Sequence, residues 1–570
     1  MPRSLDALTP AQRAAVTHQG APLLVLGGPG TGKTRVLVER VAWLVAGGVP
    51  PEEVLLLAGS PAPAAALRTQ VEDAIDAPFG ELAVHTVPDL AARLLREEPA
   101  AVGLDPFFVP VTAADRLALL LDRVDQLTLR RHDFLGNRAA LLASVIERID
   151  RCKLELVTAA DYARWAEQLD GETAEREREF AQLFADHDRL LAEQGTLDVG
   201  DLVLRAIDLL NDPSAGGRCR ARFRHVLVDE YEDLDLAHLT LVDLLADHGD
   251  LTVAGDGDAA IKRFRGAATK NLREFTAARP QAKVIALDRS FRSRERILRA
   301  ARAVTAPVSD RLNLPVAGPP GGDVAFWRCA NERAQAQGVA AEIERLLREG
   351  VPPDRIAVLV RSVRNEGHAV SVALEERAVP FRVVGAAAFF QRAEVRDVLA
   401  WLRLLVDPGD ANAFVRALAR PPVELRAADL ARCIQIARRR KLDMVSALVA
   451  ATESPQLPPE ARERILAFLK LHRQFAGALD TTRPDLFVHR LVERLGLRRQ
   501  QLFAANADVV ERLTNLARLG ELAAHYVRRA PQATPREFAR SIAAVAEAGL
   551  REDEPDRARG PRGVAVMTMR

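Results

Sequence analysis

The sequence predicts an α/β protein built on parallel, doubly wound sheets, with long helical blocks set into them. Three observations lead there. Short apolar runs recur, each closed by a turn or a cluster of polar residues. One of these runs passes into a glycine-rich loop that opens a helix. Two long stretches show only helical periodicity.

The first apolar run, residues 22–26 (PLLVL), is continuous rather than alternating, which suits a strand covered on both faces. Residues 27–34 (GGPGTGKT) then fit G-x-x-x-x-G-K-[ST] without a mismatch. Residues 33–46 have helical spacing that stops at Gly47 and Gly48, with Pro50 just beyond. Strand, glycine loop and helix form a phosphate cradle. Gly27, Gly28, Pro29, Gly30, Thr31 and Gly32 form the loop, whose glycines let main-chain N–H groups turn inward around a phosphate at a helix N-terminus. Lys33 reaches the β- and γ-phosphates, and the Thr34 hydroxyl can ligate Mg²⁺.

A second apolar run, RHVLVDE, ends in LVDEYEDLD at residues 227–235, with carboxylates at Asp229, Glu230, Glu232, Asp233 and Asp235. Such crowding repels unless a cation sits among the carboxylates. Placed as the strand beside the phosphate loop, Asp229 would hold the Mg²⁺ of a nucleoside triphosphate, and Glu230 would orient and deprotonate the attacking water. Residues 54–57, 251–254 and 283–287 read as further strands of the same sheet.

Bulk properties bound the rest. The chain has 570 residues, too many for one core and enough for about four domains. With 48% apolar residues and a formal charge of +1, it is ordinary globular material whose nucleic-acid surface must be local. No apolar run is long enough to span a bilayer, and the opening MPRSLDALTPAQRAAV reads as a helix start rather than a leader. Cys152, Cys219, Cys329 and Cys433 are scattered, which points to a cytoplasmic location and away from zinc or iron–sulfur chemistry.

The motifs LTPAQRAAV with Gln12, GDGDAAIKRFRGA (residues 255–267) and LDRSFRS (residues 287–293) stand together with the phosphate loop and DEYED in a recognisable order. FRVVGAAAFFQRAEVRDVLAWLRLL (residues 381–405) completes the set. Together they resemble the superfamily 1 DNA helicases of the UvrD/Rep type, over nearly the whole chain. The resemblance implies two RecA-like P-loop motor domains, each with a helical insertion. The first would comprise residues 1–90 and 196–295, interrupted by helices at 91–195. The second would comprise 296–405 and 556–570, interrupted by helices at 406–555. Basic runs there, RRRK (residues 438–441) and RLGLRRQQ, read first as solvated helix faces.

The resemblance further implies an ATP-dependent helicase that moves on single-stranded DNA and opens duplex DNA in repair or recombination, with ATP and Mg²⁺ bound. Catalysis would fall to Lys33, Glu230 and Arg292, the last reaching the γ-phosphate with its planar fork. Gln12 would read the adenine edge, with Arg35 and Phe291 packed on the base. Phe264, followed by Arg265, would stack on a base of single-stranded DNA.

Several positions depart from the family pattern. Glu232 stands where the family carries glutamine, Ala259 replaces a γ-phosphate-sensing glutamine, and Lys262 replaces a DNA-contacting tyrosine. AGSPAPAAALR (residues 58–68) lacks the usual threonines, aromatic, asparagine and lysine, and the next motif reads VHTVPDL. The phosphate chemistry is whole while the residues linking it to DNA are worn. That asymmetry resembles the weaker motor of the actinobacterial AdnAB-type helicase–nucleases, which pair two unequal subunits. GVAVMTMR (residues 563–570) resembles the opening of a motif whose glutamate touches ribose. That glutamate, a later arginine-bearing motif, the last strand of the second motor and any nuclease carboxylates are expected beyond residue 570.

Overall fold

The computed structural model describes residues 5–20, 22–75, 78–130, 138–247, 249–260, 270–307, 316–362, 366–384, 388–455, 457–496, 506–548 and 563–568. Its strands, in chain order, are β1 (Leu23–Gly27), β2 (Val54–Ala58), β3 (Val84–Thr86), β4 (Val109–Pro110), β5 (Thr196–Leu197) and β6 (His225–Val228). They continue with β7 (Leu251–Gly255), β8 (Lys283–Leu287), β9 (Ala357–Val360), β10 (Phe381–Val384) and β11 (Val564–Thr568).

Six of them form one sheet in the order β3-β2-β6-β7-β1-β8, and every pair whose register is described is parallel. Every residue of β2 and β7 is buried, as expected where helices cover both faces and no alternation survives. At the edge, β8 alternates more nearly, with Lys283, Val284 and Ala286 exposed. The strands read from apolar runs at residues 22–26, 54–57, 251–254 and 283–287 are β1, β2, β7 and β8, and the helix after the loop is Lys33–Ala46.

One expectation needs correcting. The acidic strand β6 does not lie beside β1, because β7 is hydrogen-bonded between them. Parallel strands joined by crossover helices need not be neighbours in chain order. The interposed strand brings its own acidic C-terminus, at Asp256, to the phosphate loop.

A second, three-stranded parallel sheet has the order β10-β11-β9, so its centre is supplied by the last described strand of the chain. The two helical blocks share one apolar core. Phe180 and Phe184 from the first and Phe414, Phe468 and Phe487 from the second belong to one buried cluster, joined by Trp401 of helix Ala393–Val406, and helix Pro535–Ala548 packs on helices Ala113–Asp122 and Arg138–Leu154. Beside that core Lys153, 1% exposed, donates to Asp188, Asp198 and Asp201, while Arg116 pairs with Asp150 and Asp198. His187, Asp188 and Asp198 cluster closely enough to suggest a metal, yet these two cations already neutralise the carboxylates. Among the described residues no helix is long and apolar enough to cross a membrane.

Candidate active site

The site grows from the carboxyl ends of β1, β6 and β7, where an open α/β sheet leaves a crevice. After β1 the chain must turn sharply enough to aim N–H groups inward, and Gly30 (φ +73°) and Gly32 (φ +86°) take left-handed conformations that a side chain would strain. The turn is closed by the Thr31 hydroxyl donating to the Gly28 carbonyl at 2.9 Å. Lys33 opens the following helix. Its ammonium donates to the carbonyls of Gly27 (2.7 Å) and Gly28 (3.3 Å) and lies 3.9 Å from Asp256.

The Thr34 hydroxyl donates to Asp229 Oδ2 at 2.7 Å, joining the loop after β1 to the end of β6. Burial raises the Asp229 carboxyl above its ordinary value, and the Thr34 hydrogen bond pulls it partly back. Two hard oxygen donors in contact, one of them a buried carboxylate, fit Mg²⁺. Glycines with inward turns beside a lysine fit the phosphates it would accompany. Glu230 follows with φ +53°, a conformation that costs a non-glycine residue of order 1 kcal/mol. Gly59 makes room for it, since a Cβ there would stand 2.7 Å from Glu230 Oε2. Thr34, Gly59, Asp229 and Glu230 line a cavity of ≈ 130 Å³ together with Leu67 and Gln70.

Gln12 is 2% exposed and both ends of its amide are bonded. Nε2 donates to the Thr31 carbonyl at 2.9 Å, and Oε1 accepts from the Thr9 main chain at 3.1 Å in a capping box. Arg35 lies 3.9 Å from Glu39, and Phe291 is half exposed with the Arg289 guanidinium 5.5 Å from its ring centroid. The turn carrying Arg292 touches the phosphate loop directly, because the Phe291 N–H donates to the Gly30 carbonyl at 2.8 Å. Gln12, residues 27–34, Asp229, Glu230 and the Arg292 turn therefore converge on one end of the sheet. Phe264 and Arg265, with Lys262, lie outside the described residues.

Two acids went unnoticed in the sequence or were read there only as departures. Asp256 follows a buried strand as Asp229 does, and that shared pattern was the available signal; burial raises its carboxyl while Lys33 lowers it. Glu232 is 3% exposed, its Oε2 has no hydrogen-bond partner, and burial pushes its carboxyl up to about 8. At neutral pH it carries its proton, which makes it a closer match to the family's glutamine amide than its type suggests. The consequence is a pH dependence of stability. An unfolded glutamate titrates near 4.5, so between about 4.5 and 8 the folded chain holds a proton that the unfolded chain has lost. Stability therefore falls as pH rises through that window and levels off above it. Glu232→Gln removes the ionisable group. It should melt at the native temperature near pH 5 and about 5 °C or more above the native protein at pH 9. Parallel melts across that range check this, and a gap that does not widen with pH would refute it.

Residues 8–280 match the UvrD/REP helicase N-terminal domain and residues 285–569 the UvrD-like helicase C-terminal domain. ATP-dependent DNA helicase UvrD1 of Mycobacterium tuberculosis is 32% identical over 91% of this chain and 68% of its own length. ATP-dependent DNA helicase PcrA of Bacillus subtilis is 25% identical over 99% of this chain and 75% of its own length. DNA helicase II of Escherichia coli is 29% identical over 87% and 67%.

Proposed function

The chain belongs to the UvrD/Rep-type superfamily 1 DNA helicases, and from that premise we propose that it uses ATP hydrolysis to move along single-stranded DNA and part the duplex, in repair or recombination. The observation that carries the reading is the 2.7 Å bond between Thr34 and Asp229, which ties the phosphate loop to the acidic strand with Lys33 and Glu230 beside it. Thr34 and Asp229 would hold Mg²⁺, which when bound supplies positive charge to the phosphate oxygens. Lys33 exchanges its loop carbonyls for β- and γ-phosphate oxygens. Glu230 accepts the proton of the attacking water. Arg292 stabilises charge that develops on the γ-phosphate, and Arg35 and Phe291 pack on the base. Gln12 acts on the adenine edge or through the loop carbonyl it already holds.

On the DNA side, Phe264 stacks on a base and Arg265 pairs with the backbone. Coupling to ATP is weak in this reading. A ligand shifts an equilibrium only through contacts that differ between states, and Ala259 offers no hydrogen bond to a phosphate. The same deficit favours a second reading, in which a partner motor supplies most of the unwinding. The experiment is ATP turnover and strand displacement by this chain, with and without oligothymidine. Stimulation should stay within about twofold in the native sequence and rise about tenfold or more when Ala259→Gln and Lys262→Tyr are combined. Strong native stimulation would exclude the partner-dependent reading, and no turnover under either condition would overturn the proposed activity.

A further inference from the structure

Ser290 is 1% exposed, and its hydroxyl and main-chain N–H join three segments. Its hydroxyl donates to the Pro29 carbonyl in the phosphate loop at 2.8 Å and accepts from the Ser293 N–H at 3.1 Å. Its own N–H donates to the Ala317 carbonyl at 2.7 Å, and the Ala317 N–H returns to the Asp288 carbonyl at 2.8 Å. The turn at 288–293 is thus clasped between the phosphate loop and the chain entering the second sheet. Val316, beside the clasp, covers the loop so closely that a Cβ on Gly28 would stand 2.8 Å from its Cγ2.

The clasp leaves Arg292 little freedom of register. A Cβ on Gly30 would lie 2.7 Å from Arg292 Cβ and 2.8 Å from the Ser290 hydroxyl, so both side chains leave the turn against the same glycine. Arg292 itself is exposed. What fixes its origin is the pair of hydrogen bonds on either side, from the Ser290 hydroxyl to Pro29 and from the Phe291 N–H to Gly30.

We propose that Ser290 is a positioning residue that sets the register of Arg292 over the phosphate loop, acting through Arg292 and not on the nucleotide. The inference rests on the role given to Arg292 above. A guanidinium stabilises a transition state only where its donors already meet the developing charge, and a shift of about 1 Å can cost a hundredfold.

The test is a double-mutant cycle in the full chain, with kcat and KM for ATP measured separately. Ser290→Ala should lower kcat about tenfold in the native background and less than twofold beside Arg292→Ala, with KM steady in both. Ser290→Cys, which keeps the shape and weakens the donor, should fall between Ser290→Ala and the native protein, and it carries the same test should the alanine variant fail to fold. Equal losses in both backgrounds, or a KM that rises alike in both, would show that Ser290 serves the phosphate loop directly and overturn the proposal. Full turnover by Arg292→Ala alone would overturn the arginine's role, and this one with it.

Discussion

Lys33→Ala should reduce ATP turnover at least about a thousandfold, because the γ-phosphate loses a fixed positive charge at the place where negative charge builds. The effect is large because Lys33 is the one cationic residue within the loop at 27–34. Lys33 is the first residue of its helix, its ammonium is held within 2.7 Å of the Gly27 carbonyl, and the acid it faces, Asp256, lies 3.9 Å away. Alanine should leave the helix intact, since it is the best helix former at that position. Melting should therefore change little while hydrolysis vanishes. Turnover within a few-fold of native in the purified variant would remove this loop from the chemistry.

Glu230→Gln separates binding from turnover. The amide keeps the size of the carboxylate and its place against Gly59, but it cannot take a proton from water. Loss of a general base costs on the order of 10²–10⁴ in rate. Thr34 and Asp229 are untouched, so a fluorescent ATP analogue should bind with an affinity close to native. Lost binding together with lost turnover would mean that Glu230 supports the nucleotide rather than the attack. Undiminished turnover would move the base elsewhere, with Asp256 the acid next in line.

Local chemistry made most of the site legible from sequence. A glycine loop between a buried strand and a helix has one common use, and the helix boundaries at Lys33 and Ala46 follow from the periodicity and the double glycine after it. Pairwise geometry across the sheet was less visible. That β7 separates β6 from β1 depends on crossover topology, which leaves no trace in either strand. β3 is three residues long, too short for any period to register. Ser290 looked like a neutral residue in a motif, since its three partners lie at Pro29, Ser293 and Ala317, two of them far away in sequence. The shared core of the two helical blocks was hidden for the same reason. Each block has its own amphipathic pattern, and neither pattern names its partner.

The three-stranded sheet has a consequence for how the protein is made. Its middle strand, β11, is synthesised only after the whole second helical block, while its neighbours β9 and β10 are synthesised before that block begins. With β11 absent the two outer strands have no partner in the sheet, and their facing edges stay unsatisfied. At ordinary elongation rates that interval lasts roughly ten to forty seconds. Contacts of such long range also close slowly once both parts exist. The nascent chain therefore passes through a period in which the first motor and the helices can be complete while the second sheet is two bare edges. A chaperone that covers extended apolar strands would find its substrate in that window. Slowing translation just before residue 564 should increase aggregation of this protein more than slowing it anywhere in the first motor.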